Sequence, residues 1–407
     1  MLFLIIEILG ILYVIYRYRL AQIKHLNFWG NPNFYLFFLA IFYLIHPCYF
    51  YYQEIFRLSV YDETIINSVY SWCIYYYFIF LIFYIISSDK LLISPEHKIV
   101  YISKLGKKFI VTFLLTSFVI LSILVLYGTR QINNGTSRII RYEFYEKITK
   151  FIGFIPLVWF IITWSFVMAM MTKKLYYLFF FLPLLYLEFA CSSRFYIFIF
   201  IIALLSFRLN VIRKNINPIY FVSIAIFLFS IGIIREHLSG INLMSIYLTS
   251  FGEFINTWSS IGLLLNEKFI FASSPLFVFV QSLIPEPFSG LVFGPKLNYA
   301  AMITSMHNFN FGLGSSVVTE GVVYGFFFAS IFPIIIGLIY FILHKYLNRN
   351  TISNKLIFFF LIITTYSIYR GAAIINISSH IMIYFFIFKI PYSLLKYFAL
   401  IKVKDAF

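Results

Sequence analysis

Apolar stretches of about 20 residues recur along this chain about eleven times, and lysine and arginine crowd into every second connection between them. A chain with that pattern can bury its backbone polar groups in lipid only as helices, so it reads as an all-α polytopic membrane protein. Spans fit at roughly 1–18, 34–52, 69–88, 109–127, 151–172, 175–191, 194–208, 217–234, 317–343, 355–372 and 374–395. Composition excludes an ordinary soluble domain, with 62% hydrophobic residues, 11% charged residues and a mean hydropathy of +0.92. Residues 1–407 therefore read as one integral membrane domain, and the first apolar segment, which contains Glu7 and has no basic stretch before it, reads as a retained span.

The net charge of +16 is a statement about orientation. With the amino terminus outside, the cytoplasmic connections and tail carry Arg17, Arg19 and Lys24; Lys90, Lys98, Lys104, Lys107 and Lys108; Lys173 and Lys174; Arg208, Arg213 and Lys214; Lys345, Arg349 and Lys355; and Lys396, Lys402 and Lys404. Only Asp89, Glu96 and Asp405 oppose them, whereas basic and acidic residues nearly balance on the other face. This is the positive-inside pattern, and it leaves no patch for nucleic acid. The carboxyl terminus is then cytoplasmic. Cys48 and Cys73 fall near the outer ends of adjacent spans, where they are either free apolar residues or a pair that an oxidising compartment could join.

Two outer segments exceed ordinary connections, residues 128–150 and residues 235–316. The second has helical apolar spacing around Ile246 to Trp258 and an apolar run from Leu276 to Ile284, which suggests interfacial or re-entrant helices. Arg194, Arg235 and Arg370 stand at the outer ends of spans in apolar context. Each alone could snorkel to the headgroups, but an ionisable group at membrane depth also marks a binding site, and a guanidinium forks onto phosphate oxygens. The turn Gly312-Leu313-Gly314-Ser315-Ser316 precedes a helix in which Ser316, Glu320 and Tyr324 share a face, while Gly321 and Gly325 suggest a small-residue contact line. Glu320 calls for a cationic partner or a proton-transfer task. No His or Cys spacing points to a metal, and with only three aspartates, Asp62, Asp89 and Asp405, no Asp-x-Asp site exists.

These features resemble the Wzy-type O-antigen and polysaccharide repeat-unit polymerases. The resemblance rests on the architecture and on Ser193 and Arg194, on Gly312, Gly314, Ser315, Ser316 and Glu320 with Gly325 following, and on Arg370 with Gly371. It implies a GT-C-like, metal- and cofactor-independent glycosyltransferase in the bacterial inner membrane, with its active site facing the periplasm. Its substrates would be undecaprenyl-pyrophosphate-linked glycans and its surroundings membrane lipids, with a chain-length regulator as a possible further partner. Arg194, Arg235 and Arg370, with Ser315 and Ser316, would hold the pyrophosphate. His307 or Glu320 would serve as general base, and Lys296, Tyr324 and His237 would contact substrate. An O-antigen ligase shares this architecture, and a flippase or other transporter is the alternative from another class.

Overall fold

The computed structural model describes residues 2–48, 63–87, 90–91, 98–132, 138–149, 151, 153–191, 195–209, 258, 260–265, 275–284, 292, 316–347, 351–371 and 373–405. The span expected at 217–234 and most of the long segment 235–316 lie outside them. Five of the described helices are long and apolar enough to cross a membrane: Glu63–Ile86, Lys104–Thr129, Phe154–Thr172, Phe326–Lys345 and Asn376–Tyr397. The chain is an α-helical protein built for a membrane.

The chain divides into two compact units, with boundaries that fall inside two of its helices. The first unit comprises residues 1–93, 251–348 and 360–381. It holds α1 (Leu2–Ile23), α2 (Pro32–Cys48), α3 (Glu63–Ile86), the two-residue strands β1 (Leu26–Asn27) and β2 (Lys90–Leu91), α9 (Pro275–Leu283), α10 (Val317–Val323) and α11 (Phe326–Tyr346). Helix α2 starts where it does because Asn31 caps it, accepting the Asn33 N–H at 3.0 Å, and Pro32 occupies the first turn, where its missing N–H costs nothing. Asn31 also donates to the Ser87 hydroxyl at 2.7 Å, tying the start of α2 to the end of α3. Aromatic rings fill the space between these helices, with Phe37 stacked on Tyr84 at 5.5 Å. Within α2, the turn Ile41–Ile45 is a π-helix, a form that concentrates near functional sites.

The second unit comprises residues 94–250, 349–359 and 382–407. It holds β3 (Lys98–Ile102), α4 (Lys104–Thr129), α5 (Arg138–Thr149), α6 (Phe154–Thr172), α7 (Leu175–Cys191, opening on a 3-10 stretch), α8 (Phe195–Phe207), α14 (Ile390–Tyr397) and β4 (Ile401–Asp405). Helix α12 (Ile352–Ile368) and helix α13 (Ala373–Ile383), the latter prolonged by a π-helical turn at Tyr384–Lys389, contribute to both units. Ser103 caps α4 by accepting the Gly106 N–H at 3.0 Å. Buried Trp164 of α6 donates to the Ile387 carbonyl at 2.9 Å, and Phe166 stacks on Phe359 at 4.3 Å. The outward face of α4 exposes Leu105, Phe113, Ile123 and Leu126, the surface that lipid tails cover at no cost. The segment 128–150, expected on the outer side, contains the helix α5.

Two features depart from the sequence reading. The apolar run 317–343 is two helices, because Gly325 adopts φ +96 between α10 and α11, a conformation that a side-chain-bearing residue rarely takes. Gly325 therefore breaks the helix, and of the two glycines only Gly321 makes a close contact: a Cβ there would meet the Tyr76 hydroxyl at 2.1 Å. The second departure is a pair of short antiparallel ribbons in an otherwise helical fold, β1 with β2 and β3 with β4.

Candidate functional site

The first unit contains a helix break that carries an arginine and is braced from both sides. α12 ends at Ile368 and α13 begins at Ala373, with Arg370 in between. On the near side, Tyr369 is fully buried, donates its hydroxyl to the Leu36 carbonyl at 2.7 Å and stacks on Tyr43 at 5.6 Å, inside the π-helical turn of α2. Across the break, the Asn376 amide donates to the Ser367 carbonyl at 3.3 Å, and the Arg370 N–H closes onto the same carbonyl at 3.2 Å. Gly371 suits this place because an added Cβ would come within 3.2 Å of the Asn376 amide nitrogen.

On the far side stands Glu320. Its carboxylate accepts the main-chain N–H groups of Ala373 and Ile374, the first residues of α13, with Ile374 at 3.2 Å from Oε2. Free N–H groups and the positive end of the helix dipole favour an anion there, and the chain supplies its own. The Tyr324 hydroxyl lies 2.9 Å from Glu320 Oε1 and 3.0 Å from Ser282 of α9, and donates to the carboxylate as the stronger acceptor. Tyr324 thus belongs to the acid's own network. Ser378 of α13 donates to the Ser282 carbonyl at 3.4 Å, so α9, α10 and α13 meet around one carboxylate. Glu320 is fully buried, while Arg370, in the same stretch of structure, is half-buried, with its guanidinium resting on the Tyr366 ring, 5.0 Å from its centre, and donating to that tyrosine's hydroxyl.

Ser316 is the N-cap of α10. Its hydroxyl accepts the Thr319 N–H at 3.2 Å, the Thr319 hydroxyl accepts the Ser316 N–H, and Ser260 joins the pair at 2.9 Å. The cluster is buried, so the Ser316 hydroxyl faces its own helix. Arg194, Arg235, His237, Lys296, His307 and Ser315 lie outside the described residues. Of the sites expected from sequence, the structure therefore brings Glu320, Tyr324, Ser316 and Arg370 into one unit. Sequence reasoning missed Asn376, Tyr369 and Ser282, and also the Glu7–His46 contact between α1 and α2, at 2.9 Å. An acid in the first apolar run and a histidine in the second were the only signals for that contact.

Beside this hub lies an open groove of 540 Å³ along the start of α3 and the start of α11. In the second unit, Glu188 is fully buried, Arg141 donates to the Ala190 carbonyl at 2.9 Å, and the Tyr145 phenol of α5 is pushed well up, first by burial and then by Tyr196 and Glu188. Among the described residues, no group of three or more His, Cys, Asp or Glu could hold a metal ion. Cys48, Cys73 and Cys191 are free thiols, and Cys48 accepts the Trp258 indole N–H at 3.2 Å. Comparison of the chain with protein-family models, with curated proteins and with solved structures finds no match.

Proposed function

We propose that the protein polymerises lipid-linked oligosaccharide repeat units by glycosyl transfer, with a polyprenyl pyrophosphate as leaving group, at the outer face of a bacterial inner membrane. The observation that carries this reading is Arg370. An arginine at the end of an apolar helix is costly, and this one, half-buried, sits in a break held by Tyr369, Asn376 and the Glu320 carboxylate. Fixing a charge that tightly serves a ligand whose own charge must be met in one geometry. A forked, permanently charged donor suits a pyrophosphate, whose departure from an anomeric carbon builds negative charge that preorganised cations stabilise.

In this reading Arg194 and Arg235 join Arg370 on the leaving group, with Ser315 beside them and Lys296 and His237 on the substrate. Both Glu320 oxygens are occupied by hydrogen-bond donors, so His307 is the better general base and Glu320 acts through Arg370 as a positioning residue. About eleven spans, an outside amino terminus, a cytoplasmic carboxyl terminus and a large outer segment at 235–316 complete the arrangement. The two ribbons support it: β1 with β2 joins the first and third connections, and β3 with β4 joins the third connection and the tail, all of which the charge pattern assigns to one side.

The test is the surface-glycan ladder of cells lacking the gene, complemented with Arg370 variants at matched expression. Arg370→Ala should collapse the ladder to a single repeat unit. Arg370→Lys, which keeps the charge and loses the fork, should leave short chains and a rate at least about tenfold lower. A full ladder with Arg370→Ala would remove the basis of the proposal.

A further inference from the structure

We infer that the groove between α3 and α11 is a binding subsite for an uncharged sugar ring. The inference rests on the polymerase reading only for which sugar enters. α3 supplies Asn67, Ser71, Trp72 and Tyr75 to its wall, and α11 supplies Phe326 and Ser330, along an open groove of 540 Å³, a volume within the range of about 300–1,000 Å³ typical of small-ligand sites. Among the described residues, no Lys, Arg, Asp or Glu lines it. A phosphate would find no cation among these lining residues, and a bare hydrocarbon tail would leave the polar wall unmatched.

A sugar ring has the opposite pair of properties, a rim of hydroxyls and a flat face of C–H groups, and the groove offers polar groups and aromatic rings side by side. Asn67 and Ser71 are four apart and share a face of α3 near its start, the end nearer water. The exposed Asn67 amide offers two donors and an acceptor. Ser71 spends its proton on the Asn67 carbonyl at 2.8 Å, and Ser330 spends its own on the Phe326 carbonyl at 3.0 Å, so both present acceptor oxygens. Beside these polar groups the wall is aromatic. Trp72 is held edge-on by Phe326 at 5.5 Å and by Tyr75 at 6.0 Å, and Tyr75 clamps α3 to α11 by donating to the Ser330 carbonyl at 2.6 Å. Phe326 is 80% exposed and therefore forms wall, not core. The groove is tied to the hub as well, since Tyr76, the next residue of α3, packs its hydroxyl against Gly321, one residue beyond Glu320.

The experiment uses the full chain in lipid nanodiscs with 5-fluorotryptophan at its five tryptophans, Trp72 being assigned by Trp72→Phe. The probe is the lipid-free oligosaccharide released by mild acid from the host's own lipid-linked repeat units. The Trp72 fluorine resonance should shift saturably while the other resonances stay in place, which also reports that the fold is intact. Asn67→Ala should weaken the apparent affinity about three- to tenfold. A silent Trp72 resonance across the titration overturns the inference, and so does an equal shift with farnesyl phosphate, which would make the groove a lipid-tail site. The two readings fail separately. A Trp72 shift together with a full ladder in Arg370→Ala sinks the polymerase and keeps the subsite, whereas a silent Trp72 with a collapsed Arg370→Ala ladder does the reverse.

Discussion

At the scale of single residues, Glu320 shows how main-chain N–H groups at a helix start can receive a buried carboxylate. Among the described residues it accepts from two main-chain N–H groups and a tyrosine hydroxyl, all three buried with it. Glu320→Ala would strand all three, at a cost of about 1–3 kcal/mol for each unmet group, so a loss of about 3 kcal/mol or more is expected from thermal unfolding in detergent. Glu320→Gln keeps the shape but turns an NH2 toward donors, and should cost about 1–2 kcal/mol while also shortening the glycan ladder through a displaced Arg370. If the glutamine variant unfolds and polymerises like the parent, the carboxylate does not anchor the start of α13. The face shared by Ser316, Glu320 and Tyr324 was legible in the sequence because a period of about 3.6 residues places positions four apart together. The main-chain donors were not legible, since every residue but proline can supply an N–H and only the fold decides which one arrives.

Among the elements, the break between α10 and α11 was hidden for a related reason. Gly325 sits in an unbroken apolar run, and hydropathy cannot distinguish a glycine that continues a helix from one that adopts positive φ. The packing that makes the break useful is equally specific. Gly321 lets the Tyr76 hydroxyl approach so closely that a methyl group would overlap it at 2.1 Å, whereas the ring carbon behind that hydroxyl would stand at 3.3 Å. Gly321→Ala alone should therefore push α10 away from α3 and destabilise by about 1–3 kcal/mol, the usual cost of overpacking. Tyr76→Phe removes the clashing atom, and its hydroxyl has no hydrogen-bond partner among the described residues, so that change alone should be nearly neutral. The double variant should recover most of the stability lost by Gly321→Ala. Additive effects in thermal unfolding would mean that the glycine is needed for backbone reasons and not for this contact.

Across the whole molecule, hydropathy made most of the helices legible, since side-chain transfer dominates when about 20 consecutive apolar residues are at stake. The ribbons escaped that reading because strands of two and five residues have too few positions to show a period. They nevertheless carry a constraint that charge counting cannot, because paired strands must lie on the same side of the membrane. In β3 and β4, Val100 stands opposite Val403. Cysteines at these two positions should cross-link under a membrane-permeant oxidant, at opposed Cα atoms about 4.5–5.5 Å apart. A membrane-impermeant maleimide should label either single cysteine in inverted vesicles and neither in intact spheroplasts. A cross-link with labelling from outside would keep the ribbon and reverse the orientation, moving Arg370 to the cytoplasmic face and ending the case for outer-face polymerisation. No cross-link, with labelling from inside, would keep the orientation and remove the ribbon, so the charge pattern would again be its only support. A cross-link with labelling from inside alone is the expected result, because lysines in the connections and tail around this ribbon each favour the side from which positive charge need not be moved.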